Sequence, residues 1–247
     1  APLGRPAAAA PCPPPRSDRQ SRPPRRRACP AGAAAASLGA VASGAAVRAP
    51  RGPWGEQSLD RTNWRVFALA FGAGFVAALH IGKLPPALAT IREDLGAGLV
   101  LAGWIASTIS TVGTLLGLIA GGVADRIGPR RSLLAGLVAL TCGSLVGGLA
   151  PGPAAMLAAR LIEGIGFASV TVSGGILIAR AAAPADRRRA LAAWGAYMPL
   201  GFATMLLVSA LALEGFGWRA VWLLAAGLTA AWALAVAVGL GPGDGGE

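Results

Sequence analysis

Residues 61–247 alternate between long apolar stretches and short charged connections. An uncharged run from Val66 to Leu79 continues through His80 and Lys83 to Pro85-Pro86. Leu99 to Ala124 carries no charge in 26 residues, and Ser132 to Ala150 none in 19. Ala154 to Ala179 contains only Arg160 and Glu163, while Ala190 to Leu213 is uncharged over 24 residues and Ala220 to Leu240 over 21. A bilayer core of about 30 Å takes roughly 20 apolar residues as helix. Six membrane-spanning helices are therefore expected, because a soluble core would not keep six such runs hydrophobic on every face. Pro85-Pro86 should break or kink the first near its end.

The connections differ in charge. Arg61 and Arg65 precede the first segment; Asp125, Arg126, Arg130 and Arg131 follow the second; Arg180, Asp186, Arg187, Arg188 and Arg189 follow the fourth. The alternate connections hold Arg92 with Glu93 and Asp94, then the uncharged Pro151-Gly152-Pro153, then Glu214 with Arg219. The positive-inside bias places both termini and the basic loops in the cytoplasm. The expected location is a bacterial inner membrane.

Composition divides the chain again. Of 247 residues, 54% are hydrophobic and 13% charged, with one histidine, three cysteines and a net charge of +11. That excludes a disulfide scaffold and leaves little for a metal site or catalytic triad, so neither an enzyme nor a cofactor is expected. Residues 1–60 hold nine arginines against three acids, and 11 of the 19 prolines. Such a segment lacks the apolar side chains that offset ordering entropy, so a disordered Pro/Ala/Arg-rich tail is expected over 1–60, ahead of a six-helix bundle over 61–247. Its arginines are compatible with a transit peptide, with anionic lipid, or with an extension of no function. No folded recognition module accompanies them, so no specific nucleic-acid partner is expected.

The second connection reads Gly121-Gly122-Val123-Ala124-Asp125-Arg126-Ile127-Gly128-Pro129-Arg130-Arg131. It resembles the signature of the major facilitator superfamily: a glycine four residues before Asp-Arg, then glycine and two basic residues. Pro129 stands where that family usually has a basic residue. The fourth segment adds Leu157, Arg160, Glu163, Gly164, Gly166 and Ala168, where the family has Arg, commonly Gln at the Glu163 position, then Gly-x-Gly. Gly217-Trp218-Arg219 and Trp222 also fit. The resemblance implies an all-α membrane protein: six transmembrane helices forming one half of a major-facilitator fold, a 3+3 inverted repeat. It further implies that Gly121, Asp125, Arg126, Gly128, Arg130 and Arg131 latch one helix bundle against another in the outward-facing state.

Charge inside a span costs roughly 2.5–3.5 kcal/mol on insertion, which makes Arg160 a functional candidate. Glu163, three residues on, shares its face. His80 and Lys83 share a face too and, with Arg160, would give a transport cavity positive balance against one acid. That pattern points to a small anionic or polar substrate, or to symport with protons through Glu163 and His80. Lys83 alternatively snorkels to the headgroups. Trp104 and Tyr197 are either cavity aromatics or interfacial anchors. Gly113, Gly117 and Gly121 form a stripe for close helix contact, static or rocking, and Gly164 and Gly166 suit the same packing role.

Met198 precedes Pro199, where drug antiporters of the superfamily usually have Gly-Pro. The stretches 82–98 and 194–201 look more like the cyanate and nitroimidazole branch. Members have twelve helices in two halves, so the resemblance implies a missing C-terminal six-helix half and a truncated chain; the alternatives are a drug/proton antiporter of the same superfamily, or a membrane fragment or interaction subunit that does not transport. The partners expected are the lipid bilayer, a small-molecule substrate and protons.

Overall fold

The computed structural model describes residues 61–241. The tail expected over 1–60 and the last residues, 242–247, lie outside the described residues. The described chain forms α1 (Trp64–Gly82), α2 (Leu84–Asp94), α3 (Leu99–Ile127), α4 (Pro129–Gly148), α5 (Pro153–Ala181), α6 (Arg187–Trp194) and α7 (Tyr197–Gly239).

Local chemistry explains most boundaries. Asn63 caps α1 by accepting from the Val66 N–H at 3.3 Å, which satisfies one of the donors a helix start leaves open. Pro129 and Pro153 open α4 and α5, where a missing N–H costs nothing. Between α3 and α4 the chain turns at Gly128, with φ 90° and ψ 143°, a region that side chains with a Cβ rarely enter.

A break falls beside the prolines, as expected, with the prolines just beyond it. α1 stops at Gly82, Lys83 links it to α2, and Pro85-Pro86 sit in the first turn of α2. Prolines suit a helix start for the reason just given. The fifth and sixth segments, expected as separate helices, follow one another directly with a break at Gly217 between them. Among the described residues five stretches are long and apolar enough to cross a membrane, and the last, Arg187–Gly239, is 53 residues long. Gly217 (φ 72°, ψ 169°) breaks α7 into arms 197–216 and 218–239, so this stretch holds both expected passes. Pro199 lacks the N–H that the Gly195 carbonyl would need, which separates α6 from α7.

α5 packs against α4, α3 and α1, while α1 also packs against α7. Met156, Val170, Leu177 and Ile178 of α5 are buried with Leu133, Leu137 and Leu140 of α4. Among the membrane-length stretches α3 is the least covered, leaving Leu99, Val100, Leu115 and Ile119 exposed.

The basic connections share one end of the bundle. There the Asn63 N–H donates to Ala181 O, the Thr62 hydroxyl donates to Asp186 at 2.7 Å, and Arg130 donates to the Leu240 and Ala237 carbonyls at 2.8 and 3.1 Å. At the opposite end Arg219 joins Asp94 at 2.5 Å, and the Trp218 indole N–H donates to the same carboxylate at 3.1 Å.

Candidate functional site

The break at Lys83 sets the geometry of the polar centre. One residue between two helices swings the Lys83 side chain inward, and the Ser209 hydroxyl from α7 holds the Lys83 carbonyl at 3.0 Å. His80, one turn earlier on α1, points into the same volume. Arg160 and Glu163 arrive from α5. All four side chains are fully buried. The snorkelling alternative for Lys83 is thereby excluded in this conformation, and none of the four faces an open surface.

Glu163 is the hub. Its Oε1 accepts from Lys83 Nζ at 2.5 Å and lies 3.1 Å from His80 Nδ1, and its Oε2 accepts from Arg160 Nη1 at 2.5 Å. Lys83 places its other two N–H groups on Ser144 Oγ at 2.7 Å and His80 Nδ1 at 3.2 Å. Its ammonium also lies 4.6 Å from the centre of the Trp222 ring, within cation–π range. Arg160 Nη1 also donates to the His80 carbonyl at 3.0 Å, and its Nε donates to the Ile105 carbonyl at 3.3 Å. Arg160 Nη2 is buried without a hydrogen-bond partner among the described residues.

The hydroxyls fix the histidine tautomer. Thr229 donates its one proton to the Ala225 carbonyl at 2.8 Å, so at 2.9 Å it accepts from His80 Nε2. In the neutral ring Nδ1 then carries no proton and accepts from Lys83. A proton added at Nδ1 would meet the Glu163 carboxylate instead. The ring therefore has a cationic and an anionic neighbour at one nitrogen, and its protonation chooses between them.

The backbones approach closely around this hub. A Cβ on Gly143 would sit 2.7 Å from Glu163 Cγ and 3.0 Å from the Ala159 carbonyl, so α4 reaches α5 only because that position has no side chain.

The remaining candidates lie elsewhere. Trp104 is 57% exposed on α3, next to Ile105 but outside the hydrogen-bonded cluster. Tyr197 stacks on Trp194 with centroids 4.2 Å apart. Gly164 and Gly166 do sit at helix contacts, where an added Cβ would lie 2.7 Å from Val112 Cβ and 2.7 Å from the Gly136 carbonyl. Gly113 faces Phe167, whereas Gly117 and Gly121 face open space, so within this chain the stripe packs at one of its three positions. Asp125, Arg126, Gly128 and Arg131 line a shallow cavity with Arg180 at the basic end of the bundle. Arg130 is committed to the carbonyls ending α7.

Ser144, Ser209 and Thr229 are members of the cluster that sequence reasoning missed. Hydroxyls are common inside membrane helices, where they satisfy themselves on the preceding turn, so an isolated one carries little signal.

Residues 66–245 match the family model of the Major Facilitator Superfamily. The chain is 32% identical over 168 residues to the cephamycin export protein CmcT of Amycolatopsis lactamdurans, covering 68% of this chain and 35% of that protein. It is 34% identical over 158 residues to the methylenomycin A resistance protein of Streptomyces coelicolor, covering 63% and 33%. With the multidrug resistance protein Stp of Mycobacterium tuberculosis it shares 31% over 155 residues, covering 62% and 29%. The chain spans about a third of the length of these relatives. Their names speak of export and resistance, and none of the three names cyanate or nitroimidazole. With the helical passes, the Asp125-Arg126 turn and the α5 charges in place, the chain belongs to the Major Facilitator Superfamily and is an integral membrane protein.

Proposed function

We propose that this chain is the N-terminal six-helix half of a secondary transporter that moves a small anionic or polar solute by alternating access. A second six-helix half would supply the other wall of the path, with both termini in the cytoplasm of a bacterial cell. The observation that carries the reading is the buried cluster of Lys83, Arg160, Glu163 and His80 at the α1–α2 break. Charges inside a membrane bundle are costly, and in transporters discontinuous helices line substrate and ion sites. The His80 ring, poised between Lys83 and Glu163, supports proton coupling at the same place.

Solute counterflow in proteoliposomes tests this, using the complete transporter that contains the chain. Wild-type proteoliposomes preloaded with unlabelled solute should transiently accumulate labelled solute, and Arg160→Ala should lose that activity. Unchanged flux in Arg160→Ala would remove Arg160 from the mechanism.

A second reading is favoured by the relatives' names: proton-driven export of an antibiotic-like compound. Direction of flux separates the two. Proton-driven accumulation into inverted vesicles supports export, whereas proton-driven uptake into right-side-out vesicles supports symport.

A further inference from the structure

The cluster is not electrically balanced. Lys83 and Arg160 bring two positive charges and Glu163 one negative, while His80 in the tautomer assigned above is neutral. One positive charge is left over among fully buried groups. An uncompensated buried charge is expensive, and the usual remedy is a counter-charge within hydrogen-bonding reach. The hydrogen bonds locate the excess. All three N–H groups of Lys83 are engaged. Arg160 is different: Nε and Nη1 donate to Ile105, His80 and Glu163, but Nη2 donates to nothing among the described residues. The unbalanced charge and the unengaged donor therefore coincide on one guanidinium.

We propose that Arg160 Nη2 is the binding point for one monovalent carboxylate, taken up beside Glu163 rather than in place of it. A monoanion brings the cluster to neutrality, whereas a dianion would overshoot. A carboxylate suits the planar, directed N–H groups of a guanidinium better than a spherical halide does. Glu163 already occupies Nη1 and sets the pattern, one carboxylate oxygen per guanidinium nitrogen. The inference rests on the transporter reading above and narrows its solute class to monocarboxylates.

Calorimetric titration of the complete transporter that contains the chain, in lipid nanodiscs at pH 7, tests it, with sodium acetate as probe and acetamide, chloride and sulfate as comparisons. Acetate should bind saturably and at least tenfold more tightly than each of the other three. Arg160→Lys keeps the charge but removes Nη2, and should weaken acetate at least tenfold. Glu163→Gln raises the excess charge to two, and should tighten acetate severalfold. Helix content by circular dichroism certifies each variant. Should Arg160→Lys not fold, the comparison of acetate with acetamide and the Glu163→Gln variant decide. Equal binding of acetamide or of chloride, no acetate binding by the wild type, or no effect of Glu163→Gln each overturns the proposal. The two readings fail separately: acetate binding without counterflow sinks the transport reading, and counterflow without acetate binding sinks the carboxylate site.

Discussion

Lys83 and Glu163 form a fully buried ion pair, 2.5 Å apart, between the break in the first pass and the middle of α5. The pair is asymmetric in its surroundings, because Arg160 stays beside Glu163 when Lys83 is removed. Removing Lys83 leaves a neutral Arg–Glu pair, whereas removing Glu163 leaves two buried cations facing each other.

Lys83→Met should therefore destabilise the bundle far less than Glu163→Met does. Breaking a buried pair in the unfavourable sense costs about 3–5 kcal/mol. Thermal unfolding in detergent, followed by circular dichroism, should show the larger drop in Tm for Glu163→Met. Equal drops would mean that Arg160 does not compensate Glu163.

At the basic end, Gly128→Ala should cost about 1–3 kcal/mol, because the turn holds φ at 90° where an added Cβ is strained. Arg130→Gln, two residues along the same motif, should act locally by freeing the Leu240 and Ala237 carbonyls. Hydrogen exchange should then accelerate in residues 236–240 and leave α3 unchanged. The two variants separate backbone strain from helix capping within one motif.

At the opposite end, hydrogen bonds from Arg219 and then Trp218 hold the Asp94 carboxyl below the ordinary carboxylate range. A folded-state value below the unfolded one stabilises the fold at every pH above the unfolded value. That contribution fades as pH falls through the folded value. Wild type should thus lose Tm between pH 4 and pH 2 more steeply than Asp94→Asn, and the two curves should run parallel from about pH 5 to 7. Parallel curves throughout would mean that the contact with Arg219 does not persist in solution.

The membrane passes were legible because an apolar run of about 20 residues has few other uses. The Arg160–Glu163 pair was legible for the same reason, as charge where charge is costly. The meaning of Pro85-Pro86 was harder to read, since a proline marks a helix end and a helix start with equal force. Only the packed chain shows that Lys83 is the break. The break at Gly217 lies where the sequence separates its last two apolar segments, between Glu214 and Arg219, but one glycine among 36 gives no sign that its φ is positive. The partners Ser144, Ser209 and Thr229 depended on which faces of α4 and α7 meet α1, which periodicity in uniformly apolar segments does not reveal.

The 80-residue separation of Lys83 and Glu163 has a consequence for biogenesis. At about 5–20 residues per second, α5 leaves the ribosome roughly 4–16 s after the first pass. Through that interval Lys83 has neither Glu163 nor Trp222 to receive it, and Ser144 arrives only 61 residues on. A lysine at the centre of a span costs about 2.5–3.5 kcal/mol to insert. Its place at a helix break lets the nascent first pass hold the ammonium near the headgroups until its acceptor arrives. The interruption that shapes the finished site is thus also where the chain carries an unmatched charge during synthesis.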